Sequence, residues 1–362
     1  MRNEKKKLDI NLGAEYKSVP LEHNEIRVAA VQMNPKPIDP RNPSKGIQEN
    51  LNHMLDLCES AIIWPPTPEP LHLLAFPEFT LTGFDTLWKR EDWLKIAIMV
   101  PGPETDRIGK KAKELNCYIV FASHTRDPKW AGHFFNTSLI VSPDGKVIHT
   151  HWKAYAGFPG PLEYSTTVHD VLDEFIERYG WEAVWPVART PIGNIATFVC
   201  SEGFAPETAR AFAMNGAEIL VRCIANCGGL IEENPGIADQ RLRMRSDCSA
   251  SHLYGIYANS QGSDIFINGK RQVQNASGGG SMIIDPFGRI LIEANDSLEQ
   301  ILHATIPIAS FRAKHKAPRI RTEIYLPVLE QHPGRFPPNL YRDYLPKDTE
   351  DALQWSLKHG RW

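Results

Sequence analysis

Residues 194–206 have the sequence NIATFVCSEGFAP, and this stretch is the most informative about the fold class. Its apolar run contains β-branched and aromatic residues, which is typical of a buried strand, and it ends in Cys200. Ser201, Glu202 and Gly203 follow, and a helix is expected to begin near Pro206, because proline is favoured at the first helical position. The stretch therefore predicts a strand, a turn that carries a cysteine, and a helix.

The same alternation of strands and helices continues on both sides of this stretch. Short apolar runs predict further strands at residues 26–33, 72–79, 117–123, 135–141, 146–155, 217–224 and 254–260, and around Met282 and Ile290. Helices are predicted at 104–115, 206–215 and 238–252, and helical spacing predicts one more through Ile47, Leu51, Met54, Leu55 and Cys58. Such alternation indicates an α/β layered domain without internal repeats.

The 362 residues are enough for one large domain or two ordinary ones. Residues 1–25 are polar and are expected to form an N-terminal tail, with a solvated run of lysines at 5–7. The main domain is expected to span 26–310, with an insertion near 162–182 that contains one amphipathic helix. Residues 311–362 are rich in proline and are expected to form an extension that packs on the domain or on a neighbouring subunit.

Composition and charge exclude several classes of protein. Forty Lys and Arg residues against 43 Asp and Glu give a net charge of -3, and no strongly basic region stands out, so nucleic acid is not an expected partner. No apolar run approaches the ~18 residues of a membrane span, and no export signal is recognised, so neither a membrane nor secretion is expected. The six cysteines are expected to be reduced thiols in the cytoplasm.

Three reactive side chains are predicted at the ends of three strands. Cys200 precedes a helix, whose positive end favours the thiolate form of a cysteine. Glu78 ends the run 76–79, and a carboxyl group there can take a proton from a thiol and return it to a leaving amine. Lys153 lies between large aromatic residues and can stabilise an oxyanion. Each residue alone has a simpler explanation: a buried core cysteine, a solvated loop glutamate and a lysine at the rim of a sheet.

Two rival constellations are visible. His151 is two residues from Lys153 and would share its strand face, which permits a cysteine–histidine dyad with Cys200. Four other residues, Cys223, Cys227, Cys248 and His252, could bind zinc, although their spacing is looser than the usual Cys-x2-Cys and buried thiols are the favoured interpretation.

At this point the chain resembles the nitrilase, or carbon-nitrogen hydrolase, superfamily, in which glutamate, lysine and cysteine occur in this order. The resemblance covers about residues 26–308 and rests on AVQ at 30–32, FPE at 76–78, Lys153, the strand that ends in Cys200, YAN at 257–259, GGS at 279–281 and DPFG at 285–288. The stretch 206–222 looks like the branch of aliphatic amidases and formamidases. Ser201 and Glu202 after the cysteine depart from the pairs usual in nitrilases and amidases.

The resemblance implies a four-layer α-β-β-α sandwich, a homo-oligomer (a dimer or higher), and hydrolysis of a small amide to an acid and ammonia through a cysteine thioester. It makes Glu78, Lys153 and Cys200 catalytic, with the backbone N–H of Ser201 as an oxyanion donor and Glu163 as an orienting residue. Candidates for the substrate pocket are Trp152, Tyr155 and Phe204. No metal or other cofactor is expected, and water is the second substrate.

Other functions remain open on the sequence. A nitrilase that acts on R-CN and an N-carbamoyl amidohydrolase would use the same three residues, and no residue in the chain distinguishes them from an amidase. A catalytically silent scaffold of the same fold is the alternative outside the enzymes, and the intact set of three residues argues against it.

Overall fold

The computed structural model describes residues 13–63, 69–85, 87–156, 164–225, 235–261, 265–267, 270–272 and 278–360. The strands are β1 (Gly13–Ala14), β2 (Ile26–Gln32), β3 (Leu71–Ala75), β4 (Ile98–Met99), β5 (Tyr118–Arg126), β6 (Phe135–Val141), β7 (Val147–Trp152), β8 (Ala188–Thr190), β9 (Gly193–Val199), β10 (Ile219–Ile224), β11 (Tyr254–Asn259), β12 (Ile265–Ile267), β13 (Lys270–Gln272), β14 (Met282–Ile284), β15 (Ile290–Glu293), β16 (Gln300–Ile306) and β17 (Ala317–Pro318).

The helices are α1 (Pro43–Ile63), α2 (Arg90–Ile96), α3 (Pro103–Leu115), α4 (Leu172–Tyr179), α5 (Pro206–Met214), α6 (Pro235–Ser251), α7 (Ile308–Arg312), α8 (Thr322–Gln331) and α9 (Thr349–Lys358). Short 3₁₀ turns occur at Val168–Val171, Trp181–Ala183 and Cys200–Phe204. Among these described helices, none is both long enough and apolar enough to cross a bilayer.

Two mixed sheets form the centre of the domain. In the first sheet the strand order is β16-β2-β3-β5-β6-β7, with β4 beside β5, and in the second it is β15-β14-β11-β10-β9-β8. The strands β9, β10 and β11 are parallel, and so are β2, β3 and β5. Parallel neighbours place the carboxyl ends of their strands at one edge of a sheet, where the candidate catalytic residues follow.

Three apolar layers separate the sheets and helices. Along β2, Val28 and Ala30 contact the core between the two sheets, whereas Ala29 and Val31 contact the core that includes α1. A third core lies between the second sheet and helices α5 and α6. Successive side chains of a strand point to opposite faces, so strands that are apolar on both faces are covered on both. The predicted four-layer α-β-β-α sandwich is confirmed.

Part of the expected N-terminal tail, residues 13–25, contacts the rest of the chain. Strand β1 pairs antiparallel with β17, and the Tyr16 hydroxyl donates to the buried carboxylate of Glu218 at 2.7 Å. The segment is therefore fixed against the second half of the chain by a charge-assisted hydrogen bond, which composition alone does not indicate. The lysine run at 5–7 lies outside the described residues.

The insertion and part of the C-terminal extension pack together. The predicted insertion helix begins as the 3₁₀ turn Val168–Val171 and continues as α4, whose Phe175 is fully buried. Leu340 and Tyr341 of the extension join the same apolar cluster. This part of the extension packs on its own domain, whereas residues 319–336 are all exposed.

A buried histidine between the sheets predicts acid sensitivity. The ring of His149 contacts the Thr197 hydroxyl at 3.1 Å, and burial lowers the pKa of His149 from 6.5 to about 3. The unfolded chain binds this proton near pH 6.5 and the folded chain near pH 3, so stability falls as the pH drops through this window. One such group contributes at most about 1.4 kcal/mol per pH unit.

We expect the free energy of unfolding, measured with urea between pH 7 and pH 5, to fall less steeply for His149→Gln than for the wild type. The exposed His332 provides the matched variant, His332→Gln, which should keep the wild-type slope. Equal slopes for all three proteins would contradict this assignment.

Candidate active site

The carboxylate of Glu78 is fully buried just beyond the end of β3. The next residue, Phe79, has φ +59, and the Thr80 hydroxyl donates to the carbonyl of Pro77 at 2.7 Å, so the chain turns sharply here. The Asn136 amide donates to Glu78 Oε1 at 2.7 Å, and the backbone N–H of Ala225 donates to Oε2 at 3.0 Å. These donors fix the carboxylate and compensate for part of the cost of burying it.

Lys153 follows the last residue of β7 and is only 2% exposed. Its Nζ lies 3.5 Å from Glu78 Oε1. Its backbone N–H donates to the carbonyl of Asn136 at 2.9 Å, so Asn136 contacts both members of this pair. A buried ammonium group and a buried carboxylate are therefore held side by side.

Cys200 follows the last residue of β9 and begins the 3₁₀ turn Cys200–Phe204. Its φ is +49, a left-handed conformation that is unusual for a residue with a side chain. The fully buried guanidinium group of Arg222 donates to the Cys200 carbonyl from Nε at 2.9 Å and from Nη2 at 2.5 Å. A Cβ atom on Gly203 would lie 2.5 Å from the Arg222 guanidinium carbon, so this close approach requires glycine.

The cysteine turn and the Glu78–Lys153 pair meet at one edge of the sheets. Val199, which precedes the cysteine, pairs with Cys223 in the parallel strand β10. Two residues beyond Cys223, Ala225 donates to the Glu78 carboxylate. On the other side, the Glu202 carboxylate accepts from the backbone N–H of Ala154, the residue after Lys153, at 2.7 Å. The structure thus places the three strand ends that carry Glu78, Lys153 and Cys200 together.

Cys200 differs from the other described cysteines in its exposure. It is partly exposed, whereas Cys58, Cys117, Cys223 and Cys248 are buried. Burial raises the pKa of each of these four thiols and disfavours the thiolate that reacts as a nucleophile. Among the described cysteines, Cys200 is therefore the one accessible to a substrate.

The structure argues against both rival constellations. The Nε2 atom of His151 lies 3.0 Å from both oxygens of the Glu202 carboxylate, so this histidine is bound to Glu202 and a dyad with Cys200 is not favoured. Cys223 lies in the core between the sheets, and Cys248 lies in the core on the opposite face of the second sheet. His252 lies beyond the end of α6, so the expected one-turn spacing to Cys248 does not exist. The fourth residue of the set, Cys227, lies outside the described residues.

The candidates for the substrate pocket have structural contacts of their own. Trp152 packs against Phe175 and Tyr179 of the insertion, with ring centroids 5.0 and 4.7 Å apart. The Tyr155 hydroxyl donates to the Glu202 carbonyl at 2.6 Å, and the carbonyl of Phe204 accepts from Arg243 at 2.7 Å. Trp152 thus supports the insertion and Tyr155 the cysteine turn, and a place for Trp152, Tyr155 and Phe204 in a substrate pocket stays a prediction. Ser201 is buried within the 3₁₀ turn, and Glu163 lies outside the described residues.

Sequence reasoning did not identify Asn136 or Ala225 as partners of Glu78. An asparagine within the apolar run 135–141 is the signal that could have indicated Asn136, because a polar group inside a buried strand needs a partner. Ala225 contributes only its backbone N–H, which any residue other than proline would supply, so no sequence signal exists for it.

Two solved structures show the same fold. An amidase from Nesterenkonia sp. superimposes with a TM-score of 0.59 and 18% identity, over 86% of this chain and 99% of that chain. Nit3 of Saccharomyces cerevisiae, a member of branch 10 of the nitrilase superfamily, superimposes with a TM-score of 0.61 and 20% identity, over 84% and 99%. At these identities the similarity establishes the nitrilase-superfamily fold alone.

The carbon-nitrogen hydrolase family model matches residues 27–316, and the chain belongs to this family. Formamidases of Bacillus thuringiensis (strain Al Hakam) and Bacillus anthracis are each 31% identical over 215 residues, which is 58% of this chain. The matched part is 56% of each formamidase, so the chain spans little more than half the length of these curated relatives.

Proposed function

We propose that the protein hydrolyses a small amide to a carboxylic acid and ammonia, with Cys200 as the nucleophile. The observation that carries the proposal is the buried Glu78–Lys153 pair, 3.5 Å apart, at the edge where a partly exposed cysteine follows β9. A carboxylate, an ammonium group and an accessible thiol are the groups that acyl transfer through a cysteine requires. The relatives named formamidase and amidase support an amide as the substrate.

In the first half of the proposed reaction, Glu78 takes the Cys200 proton and the thiolate attacks the amide carbonyl carbon. Lys153 and the backbone N–H of Ser201 stabilise the oxyanion that forms. Glu78 then returns the proton to the amide nitrogen, the C–N bond breaks, and ammonia leaves a thioester on Cys200.

In the second half, water attacks the thioester and Glu78 takes its proton. The C–S bond breaks, the carboxylic acid leaves, and the proton on Glu78 returns to the thiolate. The two halves together return Glu78 and Cys200 to their starting forms, so the proposed cycle needs no cofactor. In this proposal Glu163 orients the substrate or tunes Lys153.

Ammonia release from a panel of small amides, nitriles and N-carbamoyl amino acids tests this function. We expect release from amides, and we expect Cys200→Ala, Glu78→Gln and Lys153→Met each to lower kcat/KM at least about a thousandfold, because the three groups act as a unit. The buried Cys58 is a residue of α1 that packs in the first core, and Cys58→Ala should retain activity as the matched cysteine variant. Ammonia release from nitriles alone would refute the amidase proposal in favour of a nitrilase. Full activity in Cys200→Ala would refute the mechanism.

The proposal includes a homo-oligomer in which α8 contacts a second copy of the chain. All residues from 319 to 336 are exposed, while Ala317 before them and Leu340 after them are buried in the domain. Helix α8 carries an apolar stripe, at least 53% exposed at each position, formed by Ile324, Tyr325, Val328 and Leu329. Contiguous exposed apolar surface of this kind marks an interaction site in a soluble protein.

Analytical ultracentrifugation tests this contact. We expect the wild type to sediment as a dimer or higher oligomer and the double variant I324D/V328D to dissociate, because each aspartate places a charge in the apolar contact. The pair Thr322→Asp and Gln331→Asp adds the same charge at polar positions of α8 and should leave the oligomer intact. A monomeric wild type would refute the proposal, as would an unchanged I324D/V328D oligomer.

We also propose that the protein works in the cytoplasm. The described cysteines Cys58, Cys117, Cys200, Cys223 and Cys248 are free thiols, which a reducing compartment maintains. The proposed mechanism requires the Cys200 thiol in this reduced form.

A further inference from the structure

We infer that Glu202 is a positioning residue that sets the placement of Cys200 relative to Lys153; the inference rests on the proposed function. The Glu202 carboxylate is fully buried and contacts both segments. Its Oε2 accepts from the backbone N–H of Val199, the residue before Cys200, at 2.7 Å. Its Oε1 accepts from the backbone N–H of Ala154, the residue after Lys153, at 2.7 Å. One side chain thus links the chain on either side of the proposed oxyanion site.

A third donor completes the coordination of the carboxylate. His151 Nε2 lies 3.0 Å from both carboxylate oxygens, and the His151 ring contacts Phe212 at a centroid distance of 5.4 Å. Because both atoms that face Nε2 are carboxylate oxygens, which accept hydrogen bonds, Nε2 is the donor to Glu202 and carries the hydrogen. Since His151 comes two residues before Lys153, two of the three partners of the Glu202 carboxylate belong to the segment that carries the lysine.

The energetics favour positioning over stability as the role of this charge. Removing a carboxylate from water is costly, and its hydrogen bonds at best offset that cost, so an apolar side chain would serve packing better. A short charge-assisted hydrogen bond, in contrast, fixes direction and distance closely. The left-handed Cys200 lies between Val199 and Glu202, so the same contacts also hold its strained backbone in place.

Glutamine at position 202 would keep the shape and lose this function. Its amide NH₂ would face a backbone N–H of either Val199 or Ala154, and two donors cannot bond to each other. One of the two segments would then shift. Even a small displacement of the reacting groups lowers the rate of the chemical step strongly. Aspartate keeps the charge but is one methylene shorter, so it cannot reach both backbone N–H groups.

Glu218 offers a matched control at the opposite end of β9. It is also fully buried, and its Oε2 accepts from the backbone N–H of Asn194 at 2.7 Å. Its other partners are Tyr16 and Arg312, which take no part in the proposed reaction. Glu218→Gln therefore removes a buried carboxylate that contacts the same strand without touching the candidate active site.

The experiment compares the wild type with Glu202→Gln, Glu202→Asp and Glu218→Gln, all folded in buffer as judged by urea unfolding. The readouts are kcat and KM for the amide that the wild type prefers, and the pH dependence of Cys200 alkylation by iodoacetamide, followed by mass. We expect both changes at Glu202 to lower kcat by about tenfold to a hundredfold with KM changed less than about threefold. In both Glu202 variants, alkylation of Cys200 should slow about tenfold or its pH midpoint should shift. Glu218→Gln should lose stability but keep the wild-type kcat and the wild-type rate of alkylation.

Two results would overturn the inference. In the first, Glu202→Gln loses stability as Glu218→Gln does and keeps the wild-type kcat and alkylation profile. In the second, Glu202→Asp reacts as the wild type does. Alkylation needs no substrate, so it tests the placement of Cys200 even if no amide is hydrolysed. A wild type that releases no ammonia refutes the proposed function, whereas an active wild type with unaffected Glu202 variants refutes the positioning role alone.

Discussion

The two sheets pack face to face, and helices cover their outer faces, so the strands are apolar on both sides along most of their length. On β2, for example, Val28 and Ala30 contact the core between the sheets while Ala29 and Val31 contact the outer core. Strands enclosed in this way have little room for charged groups in their middles. Charged groups concentrate towards the strand ends: Glu78, Lys153 and Cys200 lie just beyond the ends of β3, β7 and β9, and Arg222 lies two residues before the end of β10. The position of the candidate active site is a consequence of the layered packing.

Four buried charged side chains lie in or beside the cysteine turn. Glu78 is bound by Asn136 and Ala225, Glu202 by Val199, Ala154 and His151, and Arg222 donates to the carbonyl of Cys200. Lys153 completes the set beside Glu78. Buried ions of this kind contribute little to stability because desolvation offsets their attraction. A catalytic role explains their concentration at one edge better, because charges held in fixed positions can stabilise a transition state by several kcal/mol.

The sequence predicts those residues of the candidate active site that lie at the end of an apolar run. Cys200, Glu78 and Lys153 can be recognised because each interrupts a buried strand pattern. The alternation of strands and helices predicts an α/β layered domain, and the four-layer sandwich is implied by the family resemblance. Side-chain partners are different, because they depend on distances between segments far apart in the chain. His151 is close to Lys153 in sequence, but its partner is Glu202. Trp152, adjacent to Lys153, packs on the insertion helix because neighbouring strand residues point to opposite faces. Helix α8 could not be recognised from the sequence, because it lies in a proline-rich segment without clear helical periodicity and contains Pro327.

The central claim is a covalent thioester on Cys200, and the most direct measurement is the intact mass of the protein after acid quenching within the first turnover of a small amide. We expect a mass increase equal to the acyl group minus one hydrogen, located on the peptide that contains Cys200. The adduct should be absent from Cys200→Ala, and its formation should match the first equivalent of ammonia released. Ammonia release at the wild-type rate from Cys200→Ala, with no adduct on either protein, would contradict the account.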